Sequence, residues 1–180
     1  MCIRDRYEID VSAGVRGTRS ARLSASYLPA RAVAGVRVAR SIAGTRWSVG
    51  LELAGSHLQH AIELPDPYVR SVRVNASLNT IESAAFLRTS LFELGAFALR
   101  ADARAGYTFG ARSLDSPHVR HPSQVFGYPS IGAGVEAWYA LTEVIGVFAS
   151  AHLDLIVLDA DGRLRAAPSD LYSFGISLRP

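Results

Sequence analysis

Leu99-Arg100-Ala101-Asp102-Ala103-Arg104-Ala105-Gly106-Tyr107-Thr108-Phe109-Gly110 is the stretch on which the fold turns. Every odd position is apolar, and every even one is charged, polar or glycine. Successive side chains of a strand point to opposite faces, so a strand collects the apolar set on one side. A helix would mix the two sets. The same period recurs toward both termini. Tyr7, Ile9, Val11, Ala13 and Val15 alternate with Glu8, Asp10, Ser12, Gly14 and Arg16. Trp47, Val49, Leu51 and Leu53 alternate with Ser48, Gly50, Glu52 and Ala54. Val72, Val74, Ala76 and Leu78 oppose Arg73, Asn75, Ser77 and Asn79. Ile131 to Tyr139, Ile145 to Val157 and Tyr172 to Leu178 repeat the pattern.

Turn signals separate these runs. Leu64-Pro65-Asp66-Pro67 cannot continue a central strand. Residues 111–129, with three Pro and two His, read as the longest loop. Asp159-Ala160-Asp161-Gly162 opens a second long loop reaching Ser169, and Leu141-Thr142-Glu143 is a short connection. One segment reads two ways. Asn79 followed by Glu82 is a capping signature for a helix ending at Leu94-Gly95. Leu87, Thr89, Leu91 and Glu93 fit a strand, and a strand near 85–95 is the preferred reading. The total is roughly eight to ten strands.

Composition narrows the function. At 180 residues the chain is one domain by length. Its 49% hydrophobic and 19% charged content excludes a disordered tail. No apolar run of about 18 residues predicts a helical membrane span. All 19 basic residues are Arg, for a net charge of +3, but they are scattered among Asp and Glu. Nucleic-acid binding needs them clustered on one face, so no nucleic-acid partner is expected. Met1-Cys2-Ile3-Arg4-Asp5-Arg6 reads as a sequencing-adaptor remnant, leaving a single β-barrel domain over 7–180 whose gene begins further upstream. Cys2 is the only cysteine, so the domain has none for disulfides, thiolate metal sites or a thiol nucleophile.

Alternating strands suit a soluble barrel with its apolar side chains inside, or a transmembrane barrel with them outside. Three features favour the second. Segments 99–110, 130–140 and 144–158 run about 11–15 residues, matching membrane strands of about 9–11 better than soluble ones of about 5–6. Connections alternate long, short, long, as outer loops and periplasmic turns do. On that topology 99–110 and 144–158 run outward, 130–140 and 170–179 inward. Aromatics mark strand ends: Tyr107, Phe109, Tyr172 and Phe174 outside, Tyr139 inside.

Trp138-Tyr139-Ala140-Leu141-Thr142-Glu143-Val144-Ile145-Gly146-Val147 resembles the inner hairpin of small outer-membrane β-barrels of the OmpA type. Tyr172-Ser173-Phe174-Gly175-Ile176-Ser177-Leu178 resembles their closing strand. The likeness is strongest over 97–180. It implies an all-β, antiparallel up-and-down transmembrane barrel of about 8–10 strands in the bacterial outer membrane. It also implies a monomer with lipid and the outer-membrane assembly machinery as partners. Such barrels usually end in an aromatic residue, whereas this chain ends Leu178-Arg179-Pro180.

In that architecture the polar face lines the lumen. The expected interior charge network is Glu8, Asp10, Arg16, Arg37, Glu52, Arg73, Arg100, Asp102, Arg104, Glu136, His152, Asp154 and Arg179. Opposite charges there pair with each other, because unpaired buried charge is costly. The network is read as structural, giving a plugged interior or at most a narrow passage. No cofactor, metal or enzymatic role is expected. His118 and His121, in the loop, and His57 and His60, with Glu63 nearby, are weak metal patterns. Two alternatives stand: a soluble periplasmic barrel binding an apolar ligand, and a barrel-embedded lipid acyl hydrolase built on Ser150, His152 and Asp154.

Overall fold

The computed structural model describes residues 7–19, 30–64, 72–115, 124–160 and 163–180. Eight strands run through them: β1 (Tyr7–Thr18), β2 (Arg31–Ser41), β3 (Trp47–Leu64), β4 (Val72–Leu94), β5 (Phe97–Asp115), β6 (Gln124–Ala140), β7 (Ile145–Ala160) and β8 (Arg163–Leu178). Each pairs antiparallel with the next, and β1 closes on β8. Val11, for example, stands between Val36 and Ile176. Closure leaves no unpaired edge, which is what a backbone in lipid requires. Connections 42–46, 95–96 and 141–144 all lie at the end that holds Tyr7 and Leu178. In the Leu94–Phe97 turn Gly95 takes φ +57°, a left-handed conformation that a side chain would strain.

Alternation decides which way each strand faces. Val11, Val36, Leu51, Leu53, Leu87, Ile131, Val135, Leu153 and Ile176 are exposed on the outside, Leu51 by 69%. No described charged residue interrupts this belt between Arg40 at one rim and Asp170 at the other. A soluble protein exposes no such continuous apolar surface. The apolar face therefore points outward, and the soluble ligand-binding alternative falls. Tyr7, Trp47, Phe97 and Tyr139 ring the short-turn end, and Tyr107 and Phe109 mark the other edge of the belt.

The strand preferred near 85–95 is formed, while other expectations need correction. β4 is strand throughout, and the alternative of a capped helix ending at Leu94 is not formed. Its alternation of Ile81, Leu87 (out) with Thr80, Glu82, Phe86, Arg88 (in) outweighs the capping signature. A register shift between Ser90 and Phe92 accommodates the extra residue Leu91. β8 begins at Arg163, so 163–169 is strand and not loop. The Pro168 carbonyl accepts from the Arg19 N–H at 3.0 Å, so its nitrogen faces β1 beyond Ser169↔Thr18, their last pair. Its missing N–H interrupts no ladder. Pro129 lies within β6, just before β6–β7 pairing starts at Ser130↔Ile156. Of the expected 111–129 loop, 111–115 and 124–129 are strand, and 116–123, with His118 and His121, lie outside the described residues. Because β8 starts early, Phe174 sits between Ala13 and Ala149 in the middle of the wall, not at its outer edge.

The face assignment also reverses near the outer end. Val74, Ala76 and Leu78 point inward, while Asn75, Asn79, His57 and Gln59 are exposed. Past the lipid belt the wall meets water, so the ordinary inside-apolar rule returns. Tyr128, Ile156 and Ala167, with Phe126 against them, pack into an apolar cluster on the inner face of β6, β7 and β8.

Close approach fixes one glycine. The His152 ring lies over Gly134, where a Cβ would meet its Cδ2. Gly134→Val is expected to lower stability by about 1–3 kcal/mol through overpacking. Urea titration in micelles measures it, and an unchanged midpoint would mean the ring moves aside freely.

Candidate functional site

An eight-stranded lumen is just wide enough for side chains to fill it. Here the inward positions supply a ladder of ion pairs. At the short-turn end, Glu8 on β1 accepts from Arg88 Nη1 at 3.0 Å, Arg100 Nη1 at 2.7 Å and Arg179 Nε at 2.9 Å. Glu136 on β6 accepts from Arg100 at 2.9 Å, Arg88 at 3.1 Å and Arg37 at 3.3 Å. Asp10 takes a further bond from Arg88 at 3.2 Å. Arg37 carries the ladder on to Glu52 at 3.2 Å. Glu52 meets Arg104 at 3.3 Å, and Arg104 forks onto both oxygens of Asp154. Arg16 closes the series, donating to Asp154 at 2.8 Å and Glu82 at 2.9 Å. Bidentate and charge-assisted bonds of this kind are the strong ones, and they hold both partners in one geometry.

Beside the ladder, His152 Nε2 contacts Asp102 at 2.9 Å and lies 3.5 Å from Arg37. Trp138 lies under two guanidiniums, Arg179 at 3.8 Å and Arg100 at 4.8 Å from its ring. A cavity of about 320 Å³ opens at the short-turn end, lined by Tyr7, Trp47 and Trp138 among others, and stops at Glu8, Arg88, Arg100 and Arg179.

Of the thirteen residues expected inside, all but Arg73 lie in or against this network. Arg73 belongs to β4, opposite Glu63, and its side chain lies outside the described residues. Two members were missed, Glu82 and Arg88, and so was the interior Arg31, which bonds to Ser56 and Tyr128; all three are buried. Glu82 and Arg88 were hidden by the helix-or-strand ambiguity of their segment. Arg31 stands six residues from Arg37, an even spacing that places both on one strand face.

The trio Ser150, His152 and Asp154 does not assemble as a triad. Ser150 Oγ pairs with Ser173 Oγ at 2.6 Å, His152 turns to Asp102, and Asp154 is held by Arg104 and Arg16. All three are buried in the lumen. His57 points outward, its Nδ1 2.6 Å from Asn79 Oδ1, whereas His60 belongs to the opposite face of β3. No group of three or more His, Cys, Asp and Glu among the described residues could hold a metal ion.

No family model and no curated sequence matches this chain. Solved structures do. Neisserial surface protein A superposes with a TM-score of 0.61 at 11% identity, covering 96% of each chain. OprG, an outer-membrane protein of Pseudomonas aeruginosa, gives 0.62 at 11% identity, covering 98% of this chain and 96% of its own. Ail, the attachment invasion locus protein of Yersinia pestis, gives 0.59 at 10% identity over 98% and 97%. That structure holds the heparin analogue sucrose octasulfate. The chain has the fold of small bacterial outer-membrane β-barrels.

Proposed function

We propose that the protein is a bacterial outer-membrane β-barrel with a self-plugged interior, acting at its rim and neither conducting solutes nor turning over a substrate. One observation carries this reading: the unbroken ion-pair ladder from Arg179 to Arg16, which fills the lumen through the thickness of the lipid belt. An open pore needs hydrated walls. These side chains are spent on one another.

Lipid and the assembly machinery are its expected partners. The outer rim offers polar groups for surface contact, among them the exposed Arg19, bridged to Asp170 at 2.7 Å, and Gln59 and Asn79. The structural neighbours include an attachment protein and a surface protein, which fits a surface-interaction role.

Two measurements test the proposal. Folding should occur in detergent and not in plain buffer, with an unboiled sample migrating differently from a boiled one. In planar bilayers the folded protein should give no steady single-channel current. A large, stable conductance would sink the plugged reading.

A further inference from the structure

Outward positions of β2 to β5 form two register rows within the lipid belt. One runs Val38, Leu51, Ala85, Ala105, and the next, nearer the outer rim, runs Val36, Leu53, Ser83, Tyr107. The leucines stand tall, while Ala85, Ala105 and Ser83 barely rise from the sheet. Tyr107 does not cover them. Its ring lies over Gly127 of β6, where a Cβ would meet it, and packs against Phe109 with centroids 4.7 Å apart. A hollow of about 770 Å³ remains in the wall. Ser83 is exposed in it, and its hydroxyl makes no hydrogen bond among the described residues. At the edge of hydrocarbon such a group needs an acceptor.

The same strands change character beyond Ile81 and Phe109. Their outer face there carries His57 and Gln59 on β3, Asn75, Ser77 and Asn79 on β4, and Ser113 on β5. Ser77 Oγ meets Ser113 Oγ at 2.6 Å. Both serines, with Gln59 and Asn75, line a second hollow of about 510 Å³. From Trp47 to Ala61, from Asn75 to Thr89 and from Phe97 to Ser113, the outer face of these strands holds no charged residue. A phosphate-bearing head finds no guanidinium here to pair with. Sugar hydroxyls, donors and acceptors at once, find amides and hydroxyls of the same double character.

We propose that this strip holds a glycolipid. An acyl chain lies in the lower hollow, an ester carbonyl accepts from Ser83 Oγ, and uncharged sugars meet Gln59, Asn75, Ser77 and Ser113. The proposal rests on the outer-membrane reading and deepens it, since it assigns one class of lipid to one face of the wall. About 20 Å of strand separates Ser83 from Ser77, so a head of more than one sugar is needed to reach both.

The test uses the full chain folded in a non-ionic ether detergent. It is mixed with equal amounts of digalactosyl diacylglycerol and phosphatidylglycerol of identical acyl chains, and native mass spectrometry counts the surviving adducts. The glycolipid adduct should exceed the phospholipid one about tenfold, the ratio that one or two net hydrogen bonds give. Ser83→Ala should lower glycolipid retention about fivefold. Ala105→Phe fills the lower hollow and should abolish the preference, whereas Ala149→Phe, on the outer face of β7, should keep it. Should Ala105→Phe fail to fold, Ala85→Leu fills the same floor. Equal retention of the two lipids, or a preference that survives the filled hollow, overturns the proposal and leaves ordinary boundary lipid. Dimer masses in place of adducts would overturn it too, giving the hollow to a second copy. A chain that folds in plain buffer defeats the outer-membrane reading itself. A chain that folds only in detergent yet retains no glycolipid defeats this proposal alone.

Discussion

Replacing Glu136 with Ala is expected to lower folding stability by about 3–5 kcal/mol, the range for breaking a buried ion pair on one side. Glu136 is 1% exposed and accepts from three guanidiniums, those of Arg37, Arg88 and Arg100. Alanine removes the acceptor and leaves the three cations in place. Arg100 and Arg88 keep Glu8, and Arg37 keeps Glu52, so the barrel retains alternative partners at a large energetic loss. Urea unfolding from micelles, followed by the fluorescence of Trp138 beneath Arg100, reads the effect directly. The proper comparison is Arg19→Ala. Arg19 pairs with Asp170 on the surface, where exposed pairs contribute about 0–1 kcal/mol. If the two variants lose the same small amount, water screens the interior and the ladder is no plug.

The sequence made the wall legible because a strand between lipid and lumen must alternate strictly. Leu99–Gly110 does so without exception, and Ile145–Leu155 does so but for Phe148, an apolar side chain on the lumen face. Which residues line the lumen followed from the same parity, down to Arg100, Asp102 and Arg104. Which carboxylate meets which guanidinium did not follow. The partners Arg16 and Glu82 are 66 residues apart, and Arg37 and Glu136 are 99 apart, so barrel curvature and not spacing brings them together. Alternation also gives a face but no sign. Val74, Ala76 and Leu78 looked like lipid-facing positions and point inward, because the solvent outside changes from lipid to water partway along β4. Proline misled for a related reason. Pro129 signalled a loop, yet it sits in β6 just before β6–β7 pairing starts at Ser130, a strand position that tolerates proline.

That change of solvent along a single strand sets up the most discriminating pair of substitutions. Leu51 and Gln59 lie on the same outer face of β3, Leu51 within the apolar belt and Gln59 beyond it. Leu51→Arg should destabilise the barrel in liposomes by about 2–4 kcal/mol, as a charge near the bilayer midplane does. Gln59→Arg should change stability by less than about 0.5 kcal/mol, the usual range for a surface site. In a barrel surrounded by water the two would behave alike, since Leu51 is 69% exposed and an arginine there would simply be hydrated. Equal, small effects would therefore remove Leu51 from lipid and with it the membrane reading of the wall. Equal, large effects would instead raise the outer boundary above Gln59. The polar groups of Gln59 and Asn79 would then lie in hydrocarbon, where each needs an internal partner. Asn79 has one in His57 at 2.6 Å, and Gln59 does not show one among the described residues. The boundary is accordingly placed below Gln59, and the inequality between the two arginines is its measure.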